Sequence, residues 1–166
     1  MQQIAAERLG PAIAALRIFF GIVFLTNGIA KFVPSIAHTP LGYLIDSNGA
    51  RSILTYDAHH NQVAAYRALV DEVFLRYWDL FGALQGLGEV TVGLMLVLGV
   101  AAPLGALIAL LLTLHIQFAA LFTGPWLFEY AVEWVPLLCL VFLHPGRWFG
   151  LDARLVRTGG RWAQLL

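Results

Sequence analysis

The chain has 166 residues, of which 60% are hydrophobic and only 12% charged, with ten basic and ten acidic side chains. Soluble globules carry about 25% charged residues, so much of this surface is suited to lipid, and zero net charge provides no field to attract nucleic acid. Cys139 is the single cysteine, which excludes an intramolecular disulfide and any CxxC redox or metal motif.

The length suits one domain covering 1–166. Glu7 and Arg8 precede an apolar segment too long for a signal core, so the first helix is expected to act as its own insertion signal. A first span is expected over 12–33, with Pro11 at its start. A long connection follows over 34–77. Its first part, to Asn61, reads as loop, with Thr39-Pro40, Ser47-Asn48-Gly49 and His59-His60. Its second part carries a helical stripe of Val63, Tyr66, Val70, Val73, Phe74 and Tyr77, with Arg67/Asp71 and Glu72/Arg76 spaced as i,i+4 ion pairs.

Further spans are expected over 78–100, over 103–123 opened by Pro103, and over 127–144 closed by Pro145-Gly146. Aromatic residues such as Tyr77, Trp78, Trp126, Tyr130 and Trp148 crowd the ends, as in interfacial belts. The fold class expected is an all-α membrane protein, a four-transmembrane-helix bundle whose long outer connection holds an amphipathic helix between helices 1 and 2. Arg8, Arg147, Arg154, Arg157 and Arg161 share one side, which places both termini in the cytoplasm of a prokaryotic-type inner membrane.

An ionisable side chain deep in a membrane helix costs about 2.5–3.5 kcal/mol, so it normally faces the bundle and has a partner. Arg17, Gly21, Phe24, Gly28 and Lys31 form one stripe of the first span, with Asn27 beside it. The glycines admit a close neighbour, and the two cations lie about 20 Å apart along the axis. Gln85 and Glu89 share a face of the second span, His115 is the ionisable residue of the third, and Glu129 and Glu133 lie one turn apart in the fourth. Alternating helix directions bring Asn27, Lys31, Gln85, Glu89, His115, Glu129 and Glu133 to the outer half, with Lys31 paired to Glu89 or Glu133. Snorkelling to the interface is the plainer reading for Arg17, Lys31 and Glu129. A structural ion pair is the plainer one for Glu89.

The run Leu16-Arg17-Ile18-Phe19-Phe20-Gly21-Ile22-Val23-Phe24-Leu25-Thr26-Asn27-Gly28-Ile29-Ala30-Lys31-Phe32 resembles the first helix of the DoxX/DoxD-like membrane proteins. Glu89, Gly93, Leu96 and Gly99 look like that family's second-helix pattern, and Pro145-Gly146-Arg147 followed by Leu151-Asp152 is similar to its closing motif. The long connection is closer to the DoxD type, the membrane subunit of thiosulfate:quinone oxidoreductase. The resemblance implies quinone-linked oxidation of sulfur compounds. A lone cysteine argues against covalent sulfur shuttling by two thiols here, which implies a catalytic partner subunit.

The function expected is therefore a quinone-interacting oxidoreductase subunit, with quinone as its cofactor. Glu89, His115 and Glu133 are the candidate proton-handling and catalytic residues; Arg17, Asn27, Lys31 and Gln85 are the candidate binding residues. The alternative is an accessory subunit packing into a larger membrane complex, or a homo-oligomer. No metal site is expected, because the Glu-x-x-His spacing of di-iron bundles is lacking, and His115 and His144 fall at unmatched depths for haem. Four helices without an inverted repeat argue against a transporter.

Overall fold

The structure, a computed structural model, describes residues 2–39, 42–124, 128–129 and 131–157. The helices are α1 (Gln2–Phe32), α2 (Ser47–His60), α3 (Ala64–Leu69), α4 (Trp78–Leu98), α5 (Ala102–Ala120), α6 (Ala131–Phe142) and α7 (Asp152–Arg157). Two-residue strands, β1 (His38–Thr39) and β2 (Gly42–Tyr43), pair antiparallel before α2.

Among the described residues, three stretches, Leu9–Phe32 of α1, α4 and α5, are long and apolar enough to cross a membrane. Only 28%, 33% and 39% of their most apolar windows are buried, and side chains such as Phe19, Leu80 and Leu111 stand exposed. Outward apolar faces of that extent mark a membrane protein. The helix in the region of the expected fourth span, α6, is apolar but only 12 residues long; residues 125–127 and 130 lie outside the described set. Pro11 sits inside α1, because the helix begins at Gln2 rather than at the proline.

α1 and α4 run antiparallel at close range. A methyl group at Gly21 would meet the Val97 backbone nitrogen at 2.7 Å, and one at Gly93 would meet that of Leu25 at 2.5 Å. In lipid, where no hydrophobic force drives helices together, such close backbone approach lets dispersion hold the pair. Phe20, Val92, Leu96, Ala106, Ala109, Leu110, Leu137 and Leu140 form the core where α1, α4, α5 and α6 meet.

The long connection is more ordered than its sequence indicates. Where 34–61 reads as loop, Ser47–His60 forms the 14-residue α2. The Asp46 carboxylate accepts a hydrogen bond from Gly49 N at 2.7 Å, so Ser47-Asn48-Gly49 is the capped first turn of a helix, not a free turn. The amphipathic helix is present but divided, with α3 giving way to a π-helical segment, Val70–Leu75. The wider winding breaks the i,i+4 register: Asp71 pairs with His59 of α2 at 3.3 Å, and Arg67 donates to the Asn61 carbonyl. Tyr66 and Val70 pack with Ala58 of α2 and Ala119 of α5 in a second, smaller core.

Candidate functional site

Two polar centres occupy opposite ends of the α1/α4 pair. At the end beside α2, Lys31 Nζ donates to Glu89 Oε2 at 2.7 Å and to the Ile45 carbonyl at 3.3 Å. Gln85 Nε2 donates to Glu89 Oε1 at 3.1 Å. Lys31 and Glu89 side chains are 3% and 9% exposed, so neither snorkels. Asn27 binds the same segment from beside the pair, its Oδ1 accepting from Ile45 N at 2.9 Å.

Arg17, expected among the binding residues, lies at the other end and is fully buried. Its guanidinium donates to the carbonyls of Leu96, Val97 and Trp148. The first two are unpaired acceptors at the end of α4, where the helix dipole is negative. Asp152, also fully buried, accepts from Ala101 N at 2.7 Å and Ala102 N at 3.0 Å at the start of α5. Arg17 and Asp152 thus cap the two helix ends of one tight turn and anchor the chain after α6 to it. That is a structural role, and Arg17 does not line the cavity described next.

A cavity of about 340 Å³ lies between α2, the π-helical segment, α4 and α5. Phe74, Trp78, Phe81, Leu54 and Leu112 supply much of its apolar wall, and Asp57, Gln85 and His115 its polar groups. Gln85 connects the cavity to the Lys31–Glu89 pair. Ile45 (44%), Ile53 (44%), Leu84 (52%) and Ile116 (38%) line the cavity and are exposed on the apolar exterior. The cavity therefore opens onto this exposed apolar exterior.

The Tyr66 hydroxyl lies 3.2 Å from His115 Nε2. Burial, then the nearby Asp57 charge, pushes the Tyr66 phenol up to about 12, so its O–H remains available as a donor. With Tyr66 donating, His115 carries its ring proton on Nδ1. Asn61 fixes the turn between α2 and α3 by donating to the Phe118 carbonyl at 2.8 Å at the end of α5. Glu133, expected to be catalytic, is exposed on α6 and does not line the cavity; Glu129 is exposed as well.

Asp57 is the polar residue that sequence reasoning passes over. Its signal is the spacing Ala50, Leu54, Asp57, Ala58, Asn61, a helical stripe that the loop reading of 34–61 conceals. It is buried and lines the cavity. Burial pushes its carboxyl above the usual carboxylate range, with His60 opposing in part. The folded protein therefore holds a proton that the unfolded chain releases, and stability falls as pH rises from the ordinary value through the raised one. Asp57→Asn removes that cost. Its melting temperature in detergent should equal or exceed wild type at pH 8, with the difference shrinking toward pH 4. A clear drop at pH 8 would mean that a stabilising partner holds the carboxylate.

Comparison with protein-family models, with curated proteins and with solved structures finds no match.

Proposed function

We propose that this membrane protein binds a quinone in this cavity and serves as the membrane subunit of a quinone-linked oxidoreductase. The observation that carries this reading is an apolar cavity, flanked by exposed apolar side chains and holding Asp57, Gln85 and His115 in its wall. At about 340 Å³ the cavity is at the small end of ligand sites, suited to a ring head group whose tail leaves between Ile53, Leu84 and Ile116. Phe74, Trp78 and Phe81 offer faces for the ring. A bound quinone would supply two-electron chemistry. The chain's residues hold the head group and exchange protons with it, through Asp57 and His115.

The resemblance to the DoxD type supports the same reading. On this reading α6 belongs to the fourth crossing of a four-helix bundle. Electrons come from a partner subunit, because Cys139 alone cannot shuttle sulfur between two thiols.

The test is an organic extract of protein purified in mild detergent, assayed for quinone by chromatography. Near-stoichiometric quinone, at least halved by His115→Ala with Gln85→Leu, is the expected result. No quinone above the detergent blank would reject the reading.

A second reading is favoured by Glu133, exposed on an apolar helix beside Val132 at 73% exposure. A carboxylate on such a surface normally has a partner, which fits α6 as the contact of an accessory subunit with a larger complex. Stoichiometric co-purification of another protein, lost in Glu133→Leu, would support it.

A further inference from the structure

No hydrogen bond or ion pair reaches the Asp57 carboxyl among the described residues, although the residue is only 7% exposed. The carboxyl oxygens are not among the fully enclosed polar atoms that lack a partner, so they reach the cavity and retain capacity for a ligand. Gln85 commits one N–H to Glu89 and retains its second N–H and its carbonyl oxygen, so it can serve either form and does not discriminate. Among the described residues no lysine or arginine lines the cavity, and the Lys31 ammonium is engaged by Glu89 and the Ile45 carbonyl.

We infer that the cavity takes the reduced, quinol form of its ligand in preference to the quinone, with Asp57 accepting a hydroxyl hydrogen. The inference rests on the quinone reading of the cavity. A carboxylate accepts an O–H and repels a carbonyl oxygen. A protonated carboxyl can bond either one. A hydroxyl is thus accommodated in both protonation states of Asp57, and a carbonyl in only one. The upward displacement of the Asp57 carboxyl by burial softens the discrimination without reversing it. His115, also in the wall, can bond an oxygen of either form, so the discrimination rests on Asp57. Asp57 is a binding residue on this view, placed by α2, a helix that α5 and α4 hold in position.

The two forms are related by two electrons and two protons, quinone + 2e⁻ + 2H⁺ giving quinol, so unequal affinities displace the midpoint potential of the bound couple. Each tenfold preference for quinol raises it by about 30 mV. The experiment uses the intact protein in detergent under argon at pH 8, with decyl-benzoquinone and its dithionite-reduced quinol as probes. Binding of each form is followed by tryptophan quenching, and the potential by redox titration.

Quinol should bind at least tenfold more tightly than quinone, with the midpoint raised by about 30 mV or more relative to the free couple. Asp57→Asn offers both a donor and an acceptor and should bring the ratio below about threefold. Equal or tighter binding of quinone by the wild-type protein would overturn the inference and leave the quinone site standing. Binding of neither form would overturn the quinone reading, and this inference with it. The wild-type comparison decides the question even where the variant fails to fold.

Discussion

Glu89→Leu is expected to lower the melting temperature of the detergent-solubilised protein by roughly 10 °C, the largest loss at any cavity-side position. Removing the carboxylate leaves Lys31 Nζ, on a side chain 3% exposed, with a single carbonyl at 3.3 Å. Breaking a buried pair on one side costs about 3–5 kcal/mol, because the surviving charge stays desolvated without compensation. Gln85 also loses its acceptor. Replacing both partners is a different change, since an apolar pair of similar volume leaves no stranded charge. Lys31→Met combined with Glu89→Leu should therefore recover most of the loss. Glu129→Leu, at an exposed position, should stay within about 0.5 kcal/mol. A double variant no more stable than Glu89→Leu would show that the pair is not the unit of stabilisation.

Arg17→Met should be comparably damaging, for a different reason. The guanidinium bridges two separate elements, taking carbonyls at the end of α4 and the Trp148 carbonyl beyond α6. Its loss strands buried acceptors and leaves the Asp152 carboxylate, also fully buried, without the charge that balances it. A cost of about 3–5 kcal/mol is expected. The segment 145–157 should become sensitive to protease while α1 to α5 stay protected. Arg17→Lys should restore less than half the stability, since a single ammonium cannot reproduce a planar fork that spans both elements. Unchanged melting and unchanged cleavage would contradict the capping role. Quinone content per folded molecule should be unaffected, because Arg17 does not line the cavity.

The helices with clear apolar periodicity were legible from sequence because lipid demands long uninterrupted apolar runs, and α1, α4 and α5 meet that demand. The Lys31–Glu89 pair was legible for a related reason: two charges at matched depth in antiparallel neighbours have few other places to go. Arg17 is different: its partners are main-chain carbonyls, which leave no trace in residue type. Glu133 stands exposed on α6, an azimuth that the apolar sequence around Pro136 does not fix. The cavity was least legible. Its roof is α2, whose sequence has near-neutral hydropathy and a Ser-Asn-Gly start, and its wall depends on a π-helical segment that no simple periodicity signals.

Location of the quinone is best settled by photolabelling with an azido-quinone, followed by peptide mapping of the irradiated protein. Label is expected within 45–57, 74–85 and 112–119, competed by unlabelled quinone and reduced by His115→Ala. Competable label confined to 128–142, or label insensitive to competitor everywhere, would contradict a quinone site in this cavity.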